Sequence, residues 1–416
     1  MLVVTKYPNM FVLLLVLGCG YAFLTKCIHH EHSLRNPSIT LPLTRSAVPG
    51  TKAGWSRRVP HTEWSILVYG DVLGLFEDAI REVSSRLFLA NPDELGGVES
   101  ISGCGPRFAG DYWVPPDTSL VVFTDHQAGD PACEPGVAAY AQICTRLTSG
   151  RPFSAYVHIC DVERASMEVM VHEVYHVFGF SEESFRLYPA GDQLDNVFYP
   201  RKPHGALAKI TRTDGNFLTG TRTYSVPLTV LISSAPTLYA REFFGCDRLL
   251  GVEITDSHLC KRLYYNDLMT PILTSNTLYR SDLTLLILEA SGWYHAVLYT
   301  NYSLSPWHRA EGKGCSFAMK NCRYYYEKTG DESIFCFHSR DSNCRIFRHP
   351  NPVPRNMQYF DDPNYGGLSY VEYCPLKSDV SEPIERSLIS ASSSRPGRSW
   401  NNVAGFCFHI LIYLFF

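Results

Sequence analysis

The sequence predicts an α+β protein, with a mixed sheet packed against helices and a loop-rich C-terminal part held by disulfides. Short β-type runs at Leu120-Val121-Val122-Phe123 and Tyr156-Val157-His158-Ile159 alternate with stretches of helical apolar spacing. Fourteen cysteines are scattered along 416 residues without a CxxC pair, which points to disulfides formed in an oxidising compartment. Beyond Cys315, four of them (Cys322, Cys336, Cys344, Cys374) lie amid Asn, Asp, Pro and Gly.

The first helix is expected between Gly70 and Ala90, where Val72, Leu75, Phe76, Ile80, Val83 and Leu87 recur at three- and four-residue steps. Val137 to Cys144 is a further apolar run between the two strands. A second helix is expected over Ala165 to Phe178, with Gly179 where a left-handed cap belongs. Gly205 to Thr223 is Gly-, Thr- and base-rich and reads as a loop. Pro227 to Ser233 resembles a strand, and Ser281 to Ser291 a buried helix. Phe23 to Arg58 has no helical or strand period and reads as an exposed propeptide or linker ending at the dibasic pair Arg57-Arg58.

A hydrophobic content of 45% with 19% charged residues excludes overall disorder. A net charge of −4 offers no basic field for nucleic acid. The ends point to export. Met10 to Leu17 is a short apolar core behind Lys6, followed by small residues at Gly18, Gly20 and Ala22, as in a cleaved secretory signal. At the other end, small Ser392, Ser393 and Ser394 precede a polar spacer and the apolar tail Val403 to Phe416. That layout matches a glycolipid-anchor signal, hence membrane attachment at the cell surface, with free secretion as the alternative. Asn301-Tyr302-Ser303 is a glycosylation sequon.

The chemistry concentrates in His172-Glu173-Val174-Tyr175-His176. Residues four apart share one helix face, so His172 and His176 can present two imidazoles to one metal ion. Glu173 is turned about 100° away. It cannot easily share that coordination, but it can reach a metal-held water and take its proton as a general base. Two histidines leave zinc short of a ligand. The position six residues beyond His176, where a compact site places a third His, is Glu182. Either Glu182 is the third ligand or a longer insertion brings in His204, His258 or His295, and the pattern does not choose among them.

The chain resembles the leishmanolysin family of surface zinc metalloproteases over roughly residues 60 to 376. In that family the third His precedes a Leu-Met-x-Pro turn by a fixed short distance. Here Ser257-His258 is followed eleven residues later by Met269, within Asn266-Asp267-Leu268-Met269-Thr270-Pro271. Ala240-Arg241-Glu242-Phe243-Phe244-Gly245-Cys246-Asp247, Ser305-Pro306-Trp307 and Gln358-Tyr359-Phe360-Asp361-Asp362-Pro363 are further echoes. The resemblance implies a metzincin-like catalytic domain with one Zn2+ held by His172, His176 and His258. It makes Glu173 the catalytic base and Met269 the Met-turn residue beneath the metal. It implies hydrolysis of peptide bonds in extracellular or host proteins. Cys27-Ile28-His29 resembles the family's propeptide cysteine switch, in which a thiolate would occupy the fourth zinc position.

By this reading the chain divides into a signal (1–22), a propeptide (23–58), a catalytic region (59–300), a disulfide-rich part (301–376), a linker (377–402) and a hydrophobic tail (403–416). Two features depart from the family pattern. The stretch before His258 is shorter and lacks its Gly-rich run, which favours a rival reading: a catalytically impaired surface binding or adhesion protein. Setting aside Cys19, Cys27 and Cys407, eleven cysteines remain, so one is free or joined to another chain. Cys133, Cys160 and Cys260 match no family cysteine.

A precursor that retains Cys27 should be latent, and a thiol-capturing mercurial should switch it on. Cys27→Ser should make it active without processing, measured as cleavage of a protein substrate by uncleaved precursor. A Cys27→Ser precursor as latent as the parent would rule the switch out.

Overall fold

The computed structural model describes residues 64–377 except 71–73, 95–99, 127–129, 131, 134–135, 190–202, 216–222, 274–277, 299–308 and 338–343, together with the strands Thr25–Lys26, Ile39–Thr40 and Ser56–Pro60. Cys27, Asn301, Ser305-Pro306-Trp307, the signal and the C-terminal tail lie outside the described residues.

A six-stranded mixed sheet forms the base. In chain order its strands are β1 (Ile39–Thr40), β2 (Ser56–Pro60), β3 (Ser65–Gly70), β4 (Leu120–Asp125), β5 (Ala139–Arg146) and β6 (Pro152–Ile159), arranged spatially as β1-β5-β6-β4-β3-β2. β3, β4 and β6 run parallel, while β5 and β2 flank them antiparallel. The alternation of strand side chains assigns each face a partner. Ile66, Val68, Leu120, Val122, Ala155 and Val157 pack against helices α1 (Gly74–Ser84) and α2 (Met167–Val177). Leu67, Tyr69, Val121, Phe123 and Tyr156 on the other face meet an aromatic layer with Phe108 and Tyr112. The expected α+β class with a mixed sheet holds.

Several local expectations are corrected. Apolar spacing carries the first helix to Ala90, but α1 ends at Ser84. Leu87–Leu89 leaves it as a strand paired with Tyr294–Ala296, a partner some 200 residues away that periodicity cannot register. The loop expected over Gly205 to Thr223 contains β7 (Leu207–Gly215), paired along its whole length with β8 (Thr223–Leu231). With β9 (Val252–Thr255) and β10 (His258–Leu259) these make a second, antiparallel sheet in the order β7-β8-β9-β10. The segment read as a linker without strand period supplies three strands. Thr25–Lys26 pairs with Ile272–Leu273, β1 with β5 and β2 with β3. Edge pairing uses backbone groups and needs no side-chain period. The dibasic pair Arg57-Arg58 lies within β2.

The C-terminal part is laced by Cys322–Cys374 and Cys336–Cys344 and tied back to the preceding part of the chain by Cys246–Cys315. It shares the main core through Phe317, Ile334, Phe335, Val371 and Leu376. Cys104–Cys144 and Cys133–Cys160 are the remaining described disulfides, and Cys260 is a buried free thiol. That accounts for the odd cysteine.

A buried charge cluster fastens the C-terminal part to the second sheet. Arg212 grips Glu372 through both guanidinium nitrogens at 3.1 and 2.6 Å. The fully buried Arg262 lies 3.2 Å from Glu372 and 3.5 Å from Glu253, and donates to the carbonyls of Phe317 and Lys320. Burial alone would raise the Glu372 carboxyl, but Arg262 and Arg212 outweigh it and hold it at about 2. A carboxyl depressed from 4.5 contributes stability that is fully present above pH 4.5 and is lost as pH falls through about 2.

Glu372→Gln should therefore cost about 3–5 kcal/mol at neutral pH, because Arg212 loses its bidentate carboxylate and Arg262 the nearer of its two. It should also flatten the loss of stability from pH 4.5 down to about 2. Urea unfolding of chelator-treated wild type and variant across that range measures both.

Candidate metal centre

α2 is built to present its histidines. Ser166 caps its N-terminus by accepting from the Val169 amide at 3.3 Å, and Glu168 sits in the first turn, where the helix dipole favours it. Every residue from Val169 to Val177 is buried. Beyond Phe178, Gly179 adopts φ +106°, where an added Cβ would lie 3.0 Å from Trp293. This left-handed turn brings the Phe180 carbonyl back over the helix, where it accepts from His176 Nδ1 at 2.5 Å.

His258 arrives from a tight hairpin. Thr255 pairs with His258 across Asp256 and Ser257, both at positive φ (46° and 64°). Two such central residues make a primed turn whose twist suits a hairpin, and Asp tolerates that conformation better than most residues. The turn places the Asp256 carbonyl 2.6 Å from His258 Nδ1. The Ser257 hydroxyl accepts from the Glu182 amide at 2.9 Å, holding the hairpin against the short helix α3 (Glu182–Phe185).

The third support is the turn around Met269. The Leu268 carbonyl accepts from His172 Nδ1 at 2.6 Å, and the Met269 carbonyl accepts from the Leu259 amide, beside His258. Asp267 holds this turn by accepting from the Met269 amide at 3.0 Å. Burial raises the Asp267 carboxyl to about 6. Met269 is fully buried.

These supports determine the chemistry. A carbonyl can only accept, so each of the three Nδ1 atoms carries the proton and each neutral Nε2 presents a lone pair. The three Nε2 atoms converge at 3.0, 3.2 and 3.2 Å from one another. Three lone pairs cannot hydrogen-bond to one another, and a cation between them satisfies all three. Donors 2.0–2.1 Å from a tetrahedral zinc lie about 3.3 Å apart, which matches these separations closely. Glu173, next to His172, is buried at 1% exposure.

The structure thus brings His172, His176 and His258 together, with Glu173 on the same helix. It does not bring in Glu182, whose carboxylate pairs with Arg186 at 2.5 Å. His204 and His295 are exposed on separate strand pairings. Sequence reasoning missed the backbone carbonyls of Phe180, Leu268 and Asp256, which carry no side-chain signature.

A model of the peptidase M8 family, leishmanolysin, matches residues 114–403, well over half of the chain. The chain belongs to the leishmanolysin family. Leishmanolysin of Leishmania tropica is 27% identical over 314 residues, 68% of this chain and 43% of that protein. The leishmanolysin homolog of Crithidia fasciculata is 29% identical over 292 residues, 63% and 39%. The leishmanolysin-like peptidase of Drosophila melanogaster is 25% identical over 329 residues, 66% and 46%. The chain spans under half the length of these relatives.

His258→Ala should lower metal affinity by more than the 10–100-fold typical of losing an outer-shell partner. Glu182→Ala should leave it unchanged. Chelator competition on the purified proteins measures both, and the reverse ranking would put the third ligand at Glu182.

Proposed function

We propose that this leishmanolysin-family chain is a zinc-dependent metalloendopeptidase of metzincin type acting on extracellular proteins or peptides. The observation that carries the reading is the convergence of three Nε2 lone pairs, with every Nδ1 committed to a backbone carbonyl. The donor set suits zinc: three neutral imidazoles leave a fourth position for water or substrate. Zinc, when bound, supplies Lewis acidity toward water and the scissile carbonyl.

The chain's own residues do the rest. His172, His176 and His258 would hold the ion, and the carbonyls of Leu268, Phe180 and Asp256 orient their rings. Such outer-shell bonds fix the tautomer and raise ligand basicity. Glu173 accepts the proton of the attacking water and returns it to the leaving amine. Burial of its carboxylate keeps competing water away from that exchange. Met269 forms an apolar floor within the turn that orients His172.

An extracellular setting is supported by the five described disulfides, which persist where thiols are not kept reduced. No helix among the described residues is long and apolar enough to cross a membrane. Attachment would fall to the C-terminal tail, with glycosylation at Asn301 and latency through Cys27, all outside the described residues. An intact Glu173 beside a complete histidine triad favours turnover over the adhesion reading.

Glu173→Gln should keep one metal ion per chain and lose about 10²- to 10⁴-fold in kcat/KM toward a protein substrate. Near-parental proteolysis by the metal-loaded variant would remove Glu173 from the role of base.

A further inference from the structure

A second constellation of metal-binding residue types lies on the opposite face of the main sheet. β4 and β6 run parallel, with Asp125 and His158 in register at their C-terminal ends. His158 alternates with Val157 and Ile159, which face the helices, so its ring points to the aromatic layer beside Tyr140 and Tyr156. Its Nδ1 contacts the Asp125 carboxylate, which also accepts from the Tyr156 hydroxyl at 2.9 Å. A proton on Nδ1 directed at Asp125 leaves the Nε2 lone pair facing the other way. That Nε2, buried in a residue only 1% exposed, has no hydrogen-bond partner among the described residues. It lies within 4.8 Å of the sulfurs of Cys133 and Cys160, which are joined as a disulfide.

A disulfide gives such an acceptor nothing to bind, and buried acceptors left without a partner are rare. Reduction changes that. Two thiolates and an imidazole Nε2 form a soft donor set suited to zinc, with a fourth position open, and Asp125 backs the imidazole as carboxylates back metal-bound histidines. Both cysteines are only half-buried, which gives an ion a path from solvent.

We propose that Cys133, Cys160 and His158 form a redox-gated second metal site, closed as a disulfide and taking a thiophilic divalent ion such as Zn2+ once reduced. A dithiol reductant supplies two electrons and two protons to the sulfur–sulfur bond and is itself oxidised to a disulfide. The two thiol protons are released as the ion binds. The site is independent of proteolysis and of the histidine triad.

Cobalt(II) tests it on the full chain in a Cys27→Ser/Cys260→Ser background, which removes the candidate switch thiol and the other described thiol. Oxidised protein should bind one Co2+ without sulfur-to-cobalt charge-transfer absorption, since the triad has no thiolate. After graded dithiol reduction, with the opened pair mapped to Cys133 and Cys160 by alkylation, one further Co2+ should bind and the charge-transfer band should appear. Asp125→Asn keeps all three donors and should weaken this second ion about 10–100-fold. Alkylating only Cys133 and Cys160 in otherwise native protein should abolish the band, a control that does not depend on a Cys133→Ser/Cys160→Ser variant folding. A reduced chain that takes no thiolate-bound metal overturns the site. So does a band that survives that alkylation.

Discussion

Three carbonyl oxygens at Phe180, Asp256 and Leu268 impose one tautomer on three imidazoles, and much of the chain serves to deliver those carbonyls. Each comes from a different device. Phe180 depends on the left-handed Gly179, Asp256 on a two-residue hairpin with both residues at positive φ, and Leu268 on a turn held by a buried carboxylate. None of the three is satisfied by repeating secondary structure, and all lie in short irregular segments pinned by rigid neighbours. The histidine geometry is therefore as precise as those turns. A change in Gly179, Asp256 or Asp267 would act on the metal centre without touching a ligand.

The hairpin carrying His258 is the most exposed to long-range support. Its strands belong to the second sheet, and the chain runs directly from it into Lys261 and Arg262. Arg262 is held by Glu372 from the C-terminal part and by Glu253 from the hairpin's first strand. Burial pushes the neighbouring Cys260 thiol well up, so it stays protonated and behaves as a packing residue. The disulfide-rich part thus supports the His258 hairpin from behind, and Cys246–Cys315 prevents the two from separating.

Legibility from sequence followed interaction range. His172, Glu173 and His176 were readable because i,i+4 spacing on a helix is local and Gly179 marks the helix end. His258 lies 82 residues beyond His176, and only its spacing to Met269 in a family pattern selected it over Glu182, His204 and His295. The hydrophobic period overran α1 because Leu87 fits a helical face as well as it fits the strand it joins. β7 looked like a loop because its Thr- and base-rich sequence lacks apolar alternation, and β8 supplies its order through backbone pairing. Disulfide partners such as Cys133 and Cys160 are joined by folding alone, so the sequence could count them but not pair them.

β6 joins the two candidate sites. Its Ala155, Val157 and Ile159 lie beneath the active helix, while Tyr156 and His158 face the other way. Immediately after it, Cys160 is fixed to Cys133, and six residues later Ser166 caps α2. The connection that sets where the active helix begins is thus anchored at its start by the Cys133–Cys160 bond. Opening that bond frees a half-buried anchor at the entry to a helix buried along nearly its whole length. Closure by a shared metal ion would restore the anchor, with His158 and Asp125 as its fixed side. A disulfide and a metal bridge would then be two ways of holding the same short connection, on the far face of the sheet from the histidine triad.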